Sequence, residues 1–448
     1  MLNSETIKGN IVLPTEVLFD AYLTYRDGKI ISILDTETPG VEVIDATGQY
    51  ILPGVIDAHV HCYSALTEGF TTATRSAAAG GVTTIVEMPY DADKLICTQT
   101  LFEEKKELLE REAIVDVAML ATIAPKGGLD QIPLLAESGA CGFKVSLFNT
   151  DSVRFPQIDE GELFEAFTAI EKTGKPVTVH AETDAIVRKF IEKYADKGNN
   201  NPIAHCQSRP KVAESTAALT VLELAHYTKA KLHLHHSTFS RVFELVKHYR
   251  NDGTDATAET CTHYLVFSEN DMDRLKAKGK INPPLRSEED VTQLWNLLAC
   301  DKIDMVTSDH APWPIDRKQA DNIFDNSSGA PGVEVLLPIL FSEGVAKGRI
   351  SILQLAKVLC ENPANRFGLG HRKGKLAVGY DADFVVLNPT EKWTLDEADM
   401  HSNAGWSPYH GMDMHGKVKR TFVRGKEVYN GKVIGEMGDG SFIPAIHD

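Results

Sequence analysis

Eight short apolar runs separated by longer amphipathic stretches constrain this chain more than any other feature. The runs are Val55–His61, Val82–Met88, Ile114–Thr122, Gly142–Val145, Pro176–His180, Lys231–His236, Asp255–Glu259 and Ile303–Ser308. Short runs without a polar face suit strands buried on both sides of a parallel sheet. The stretches between them, such as Leu101–Glu112 and Gly161–Thr173, have the pattern of amphipathic helices. Eight strands alternating with helices is the order of a (β/α)8 barrel. The fold class is therefore expected to be α/β, with residues 54–374 forming the barrel.

The flanks are written differently. Residues 1–53 read as short strands, with Asp27-Gly28 as a hairpin signal before Lys29–Leu34. Residues 375–448 return to that style in Asp383–Leu387, Val418–Val423 and Lys426–Tyr429, the last after Arg424-Gly425. Neither flank is large enough to bury a good core alone. The two ends are expected to meet in one small β-sandwich beside the barrel.

A net charge of -17 leaves no basic excess to neutralise phosphates, so neither nucleic acid nor an anionic membrane is an expected partner. The 7 cysteines are scattered without a Cys-x-x-Cys pair, which suits a reducing cytosol and not a zinc knuckle. No apolar run reaches the length of a membrane span. The N-terminus lacks the apolar core of a signal peptide. A cytoplasmic location is the expectation.

In a barrel of this kind chemistry gathers at the carboxyl ends of the strands. His59 and His61 are two apart, so a strand points them to one side. Lys144 lies on the fourth run. His180 ends the fifth, His236 ends the sixth and Asp309 follows the eighth. Imidazoles and a carboxylate converging on one mouth are the donor set of a divalent metal. Each residue also has an ordinary alternative. A lone His is commonly a satisfied core residue, and a buried Lys is commonly salt-bridged to an acid. Of His233, His235 and His236, at most two can face the mouth, and His310 could serve only to orient Asp309.

Several motifs carry a family resemblance. They are Pro53-Gly54-Val55-Ile56-Asp57-Ala58-His59-Val60-His61, Ala79-Gly80-Gly81-Val82-Thr83-Thr84, Gly142-Phe143-Lys144 and Val179-His180-Ala181-Glu182. Further along come Glu259-Thr260-Cys261-Thr262-His263-Tyr264, Pro283-Pro284-Leu285-Arg286, Ser308-Asp309-His310-Ala311-Pro312 and Gly379-Tyr380-Asp381-Ala382-Asp383. In this order they resemble the amidohydrolase superfamily, in its cyclic-amide branch of allantoinases, hydantoinases or dihydropyrimidinases, and dihydroorotases. The resemblance implies two divalent ions, zinc as a rule. His59, His61 and Asp309 would hold one, and His180 and His236 the other. Lys144 would be carboxylated to bridge both, and Asp309 would carry the proton from the attacking water to the leaving nitrogen. It also implies a homotetramer acting on a small cyclic ureide.

The ring is read from departures. Dihydroorotases resembling this chain carry an Arg two residues after the second His, where Tyr63 stands here. Dihydropyrimidinases and D-hydantoinases carry a Tyr five residues after the modified Lys, where Asn149 stands. Glu68-Gly69-Phe70 with Thr74-Arg75, and Glu87-Met88-Pro89, resemble allantoinases, although the loop from Cys62 to Thr67 is shorter than theirs. The expected activity is opening of allantoin to allantoate, with an L-hydantoinase or dihydropyrimidinase as the alternative and dihydroorotase third. Asn282 and Ser328 are the expected ring contacts, with Tyr63 and Asn149 at the substrate pocket. Non-enzymatic dihydropyrimidinase-like scaffold proteins tend to lack metal ligands, whereas all six positions are filled here.

Overall fold

The computed structural model describes residues 4–37, 41–195 and 197–447. The chain begins with β1 (Glu5–Val12), β2 (Val17–Arg26), β3 (Lys29–Leu34) and β4 (Glu42–Pro53). Next come β5 (Val55–Val60), β6 (Val82–Glu87), β7 (Asp116–Met119) and β8 (Phe143–Ser146). They are followed by β9 (Val177–His180), β10 (Leu232–Leu234), β11 (Ala256–Cys261) and β12 (Met305–Thr307). The chain closes with β13 (Phe384–Thr394), β14 (Asp413–Val423) and β15 (Lys426–Tyr429).

β5 to β12 are the eight apolar runs, and their residues are almost all buried. They form two parallel arcs, β5-β6-β7 and β8-β9-β10-β11-β12. Two seams close the arcs into a barrel. Ala121 bridges Phe143, and Val60 bridges His310. At the second seam the His61 N–H donates to the His310 carbonyl (2.9 Å) and the His310 N–H to the His59 carbonyl (3.2 Å). Helices such as Gln99–Glu112 and Glu160–Glu171 lie between the strands in sequence, near the expected bounds. Among the described residues no helix is long and apolar enough to cross a membrane.

The remaining strands form one seven-stranded sheet in the order β15-β14-β13-β4-β1-β2-β3, drawn from both ends of the chain. Four strand steps separate Tyr25 on β2 from Phe422 on β14, which in a flat sheet would span about 19 Å. Their ring centroids are 6.2 Å apart, and Phe384 packs against both. The sheet therefore folds over its own core as a sandwich. The expected hairpin is present, with Asp27 (φ 51) and Gly28 (φ 77), and a second one turns at Arg424 (φ 46) and Gly425 (φ 76). Two consecutive positive φ angles are what a two-residue type I′ turn requires. β4 runs into β5 with Gly54 alone between them, because a Cβ there would overlap the Thr83 side chain.

Sandwich and barrel are joined by charge. Lys373, 3% exposed, contacts Asp116 at the start of β7 (2.7 Å), Asp383 just before β13 (2.5 Å) and Asp381 (3.3 Å). Arg424 also donates to Asp116. Three acidic groups thus gather around a cation that is part of the chain. Removing one partner of a buried pair strands the other charges, at a cost of about 3–5 kcal/mol. Lys373→Met is expected to lower the midpoint of chemical denaturation accordingly; an unchanged midpoint would remove this cluster as a tie between the two parts.

Candidate metal centre and substrate cavity

Six side chains expected at one mouth line a single cavity at the carboxyl ends of the barrel strands: His59, His61, Lys144, His180, His236 and Asp309. The Asp309 Oδ1 is 3.2 Å from His59 Nε2 and 3.6 Å from His61 Nε2. The ring centroids of His180 and His236 are 4.5 Å apart, and those of His59 and His236 5.4 Å.

Hydrogen bonds behind the cavity decide which nitrogen each imidazole turns forward. A carboxylate only accepts, so His59 Nδ1–H donates to Glu259 Oε1 (2.7 Å) and leaves the Nε2 lone pair facing Asp309 and Lys144. His180 Nε2–H donates to Glu182 Oε2 (2.9 Å), leaving Nδ1 as its free lone pair. Burial would raise the Glu182 carboxyl, but the Arg209 guanidinium beside it and His180 hold it down to about 2. His233 and His235 do not reach the mouth; both donate to Glu259, at 3.0 Å each. His310 turns away from Asp309, and its Nδ1 accepts the Gly332 N–H (3.1 Å).

Burial lowers the pKa of His59, His61, His180 and His236, which keeps them neutral with lone pairs available. The buried Nδ1 atoms of His61 and His236 have no hydrogen-bond partner among the described residues. His236 (φ 37) and Asp309 (φ 46) both adopt left-handed backbone, a strained state for residues with a Cβ. Lys144 has no carboxylate within ion-pairing distance among the described residues; its Nζ lies 3.4 Å from His59 Nε2. Burial pushes its pKa down to about 7. The ordinary alternative for this residue, a salt bridge, is thus not what the geometry provides. His59, His61 and Asp309 offer three donor atoms close enough to share one ion. His180 and His236 could hold a second, with Lys144 between.

The remaining expected contacts divide. Asn282 and Ser328 line the cavity, and the buried Asn282 Oδ1 has no donor among the described residues. Tyr63 and Asn149 do not line it. The Cys62 N–H is held by Glu87 (2.9 Å), and Tyr63 leaves toward the helix Gln99–Glu112, where its hydroxyl donates to Glu112 (3.2 Å). Asn149 turns to the helix Asp184–Ala195. Its N–H donates to Asp184 (3.0 Å), and its amide pairs with the Asp151 carbonyl and Arg188.

The sequence matches the model of the amidohydrolase family over residues 50–428. The chain belongs to that family. It is 34% identical to an allantoinase of Deinococcus radiodurans, with 96% of each chain covered. It is 32% identical to an L-hydantoinase of Paenarthrobacter aurescens, with 98% of this chain and 97% of the relative covered. Among solved structures, an L-hydantoinase (dihydropyrimidinase) from Arthrobacter aurescens matches at a TM-score of 0.95 and 32% identity, over 99% of this chain and 100% of that one. A barrel with a β-sandwich built from both ends is therefore the fold in both sequence and structure.

Within this amidohydrolase cavity stand residues that spacing did not single out. Ser64 follows β5, Tyr90 follows β6, Thr150, Arg154 and Phe155 follow β8, and Trp313 follows β12. They lie on loops, where no periodicity announces them. Glu182 and Glu259 did have a signal, since each sits inside a quoted motif, Glu182 two residues after His180. Glu259→Gln keeps the shape but replaces an all-acceptor group. Loss of such an orienting partner is expected to weaken affinity for added divalent ion by ~10–100-fold, read by competition with a chromogenic chelator. An unchanged affinity would mean that Glu259 does not orient the donors.

Proposed function

We propose that this chain opens the amide bond of a cyclic ureide, with allantoin as substrate and allantoate as product. The observation that carries this is one cavity combining the six-residue donor set with a polar outer wall of Ser64, Thr150 and Arg154. The allantoinases among its relatives, at 33–36% identity, support the same assignment. His59, His61 and Asp309 would hold one divalent ion, zinc as the first choice, His180 and His236 a second, and carboxylated Lys144 would bridge them. Carbon dioxide adds to a neutral amine, which a pKa near 7 makes available at neutral pH. Bound there, the ions would polarise the scissile carbonyl as Lewis acids and acidify the attacking water.

The chain's own groups do the rest. Asp309 takes the proton of the attacking water and delivers it to the ring nitrogen as the C–N bond breaks. Asn282 Oδ1 accepts a ring N–H. The Ser328 backbone presents its peptide to the other edge, its carbonyl held by Trp313 Nε1 (2.8 Å). Arg154 stacks over Trp313, its guanidinium 5.0 Å from the ring, and donates to the Ser64 carbonyl (3.2 Å). That placement suits a polar ureido substituent better than an alkyl or aryl one. It also favours a second reading, a ring bearing a carboxylate, since Arg154 supplies from another loop the cation that position 63 lacks. A cytoplasmic location and assembly as a homotetramer belong to the same proposal.

The test is kcat/KM on metal-replete protein for allantoin, a 5-substituted hydantoin, dihydrouracil and dihydroorotate. Hydrogen-bonding sites discriminate by up to ~10⁴-fold, so allantoin is expected to lead clearly. Dihydroorotate fastest would select the second reading, and a hydantoin more than ~10-fold ahead would select a hydantoinase. For Lys144, Lys144→Ala is expected to lose most activity and to regain part of it with a short carboxylic acid. A mass spectrum and crystal density showing an unmodified amine in active protein would refute the carboxylation.

A further inference from the structure

Two lysines are buried where the segments carrying Asn282 and Ser328 meet, with no acid to pair with. Lys280 is 7% exposed and Lys318 5%, and neither has a carboxylate within ion-pairing distance among the described residues. Each amine instead donates to main-chain carbonyls of the opposite segment. Lys318, after β12, reaches the Ala277 (3.1 Å) and Lys280 (3.0 Å) carbonyls. Lys280, after β11, reaches back to the carbonyls of Phe324 (2.9 Å) and Asn326. Burying an amine without an acid is costly, and burial pushes the pKa of both down.

Fold stability does not account for Lys318. Both carbonyls it caps have a second donor, the Lys280 N–H for Ala277 (3.0 Å) and the Gly329 N–H for Lys280 (2.9 Å). Removing the amine would leave neither bare. What the amine adds is a fixed spacing between the two segments. At that join stand Asn282, two positions past Lys280, and Ser328, next to Gly329. The Asn282 side is anchored separately. His205 Nε2–H donates to the Ile281 carbonyl (2.8 Å) and the Tyr264 hydroxyl to that of Pro283 (2.6 Å). The Ser328 side is therefore the one that Lys318 places. Neither lysine lines the cavity, although both ring contacts do.

Resting on the amide-hydrolysis reading above, we propose that Lys318 is a positioning residue which, with Lys280, sets the distance between Asn282 Oδ1 and the Ser328 backbone, and so the width of the slot that takes the ring. Contacts at the two ring edges act on bound substrate and transition state alike, so their loss falls on KM.

Lys318→Met keeps the apolar stem and removes the donors. On metal-replete protein, KM for the ring that the parent opens fastest is expected to rise ~5–10-fold, about the worth of one hydrogen bond. Turnover should stay within about threefold. Metal per chain should be unchanged, and Tm equal to or above the parent's, since no carbonyl is stranded. In an Asn282→Ala background the same substitution is expected to raise KM by less than about twofold, because the spacing then has one edge left to serve. A KM within about twofold of the parent's overturns the proposal, and so does an equal effect in both backgrounds. A loss carried by kcat, lost metal, a lower Tm or a failure to fold also overturns it, by making Lys318 a packing residue. A parent inert on every cyclic amide sinks the amide-hydrolysis reading and this proposal with it, and that is seen before any variant is made.

Discussion

Glu259 is fully buried on β11 and accepts hydrogen bonds from His59 on β5, from His233 and His235, and from the His236 backbone (3.2 Å). β5 and β11 are not neighbours in the barrel, since β12 lies between them. The carboxylate therefore ties strands together across the interior. Burial pushes its carboxyl up, while Lys144 and the His236 N–H pull it down. Every imidazole that donates to it has its tautomer settled by that bond. Without it, three buried histidines would have no common acceptor, and the nitrogen that His59 turns to the cavity would be undetermined.

His236 shows how local strain serves this arrangement. Leu232 and Leu234 pack into the core between barrel and helices, while His233 and His235 face Glu259. Strict alternation would send His236 the way of the two leucines. The left-handed backbone at His236 breaks the alternation and brings its ring into the cavity. Such a residue costs of order 1–3 kcal/mol and persists where surrounding structure over-determines it. Here the Glu259 side chain holds the N–H of His236 and the Glu259 carbonyl holds that of Ser237 (2.8 Å). Asp309 has the same strain beside the seam that closes the barrel, where the His310 N–H is shared by the Ser308 Oγ (3.0 Å) and the His59 carbonyl.

What could be read from the sequence was whatever period or turn chemistry encodes. The eight strands were legible as apolar runs, and the first hairpin as Asp27-Gly28. The six donors were legible because each stands at or near a strand end, although at His236 and Asp309 the left-handed backbone, and not the ladder, sets the direction. Tyr63 and Asn149 were read by their distance in sequence from a ligand, and distance along a loop does not fix direction. A hydrogen bond to Glu87 turns the first away, and the helix Asp184–Ala195 captures the second. Arg154 and Trp313 are 159 residues apart in numbering and meet only because their loops rise from β8 and β12 around one mouth.

This division explains why overall likeness separates the candidate substrates so little. Identity to an allantoinase and to an L-hydantoinase is 34% and 32%, and both values are taken over nearly the whole chain. Most of that length is barrel core, sandwich and helix packing, which any ring-opening activity on this scaffold needs alike. The loops after β5, β8 and β12 supply Ser64, Thr150, Arg154 and Trp313 to the cavity lining. Each loop is held by contacts of its own, Cys62 by Glu87 and Arg154 by Ser64 and Trp313. They can therefore change without disturbing Glu259 or the donors it orients. That rim is where the lining is free to differ, and Arg154, paired with Asp151 (3.6 Å) and stacked on Trp313, is the cation there.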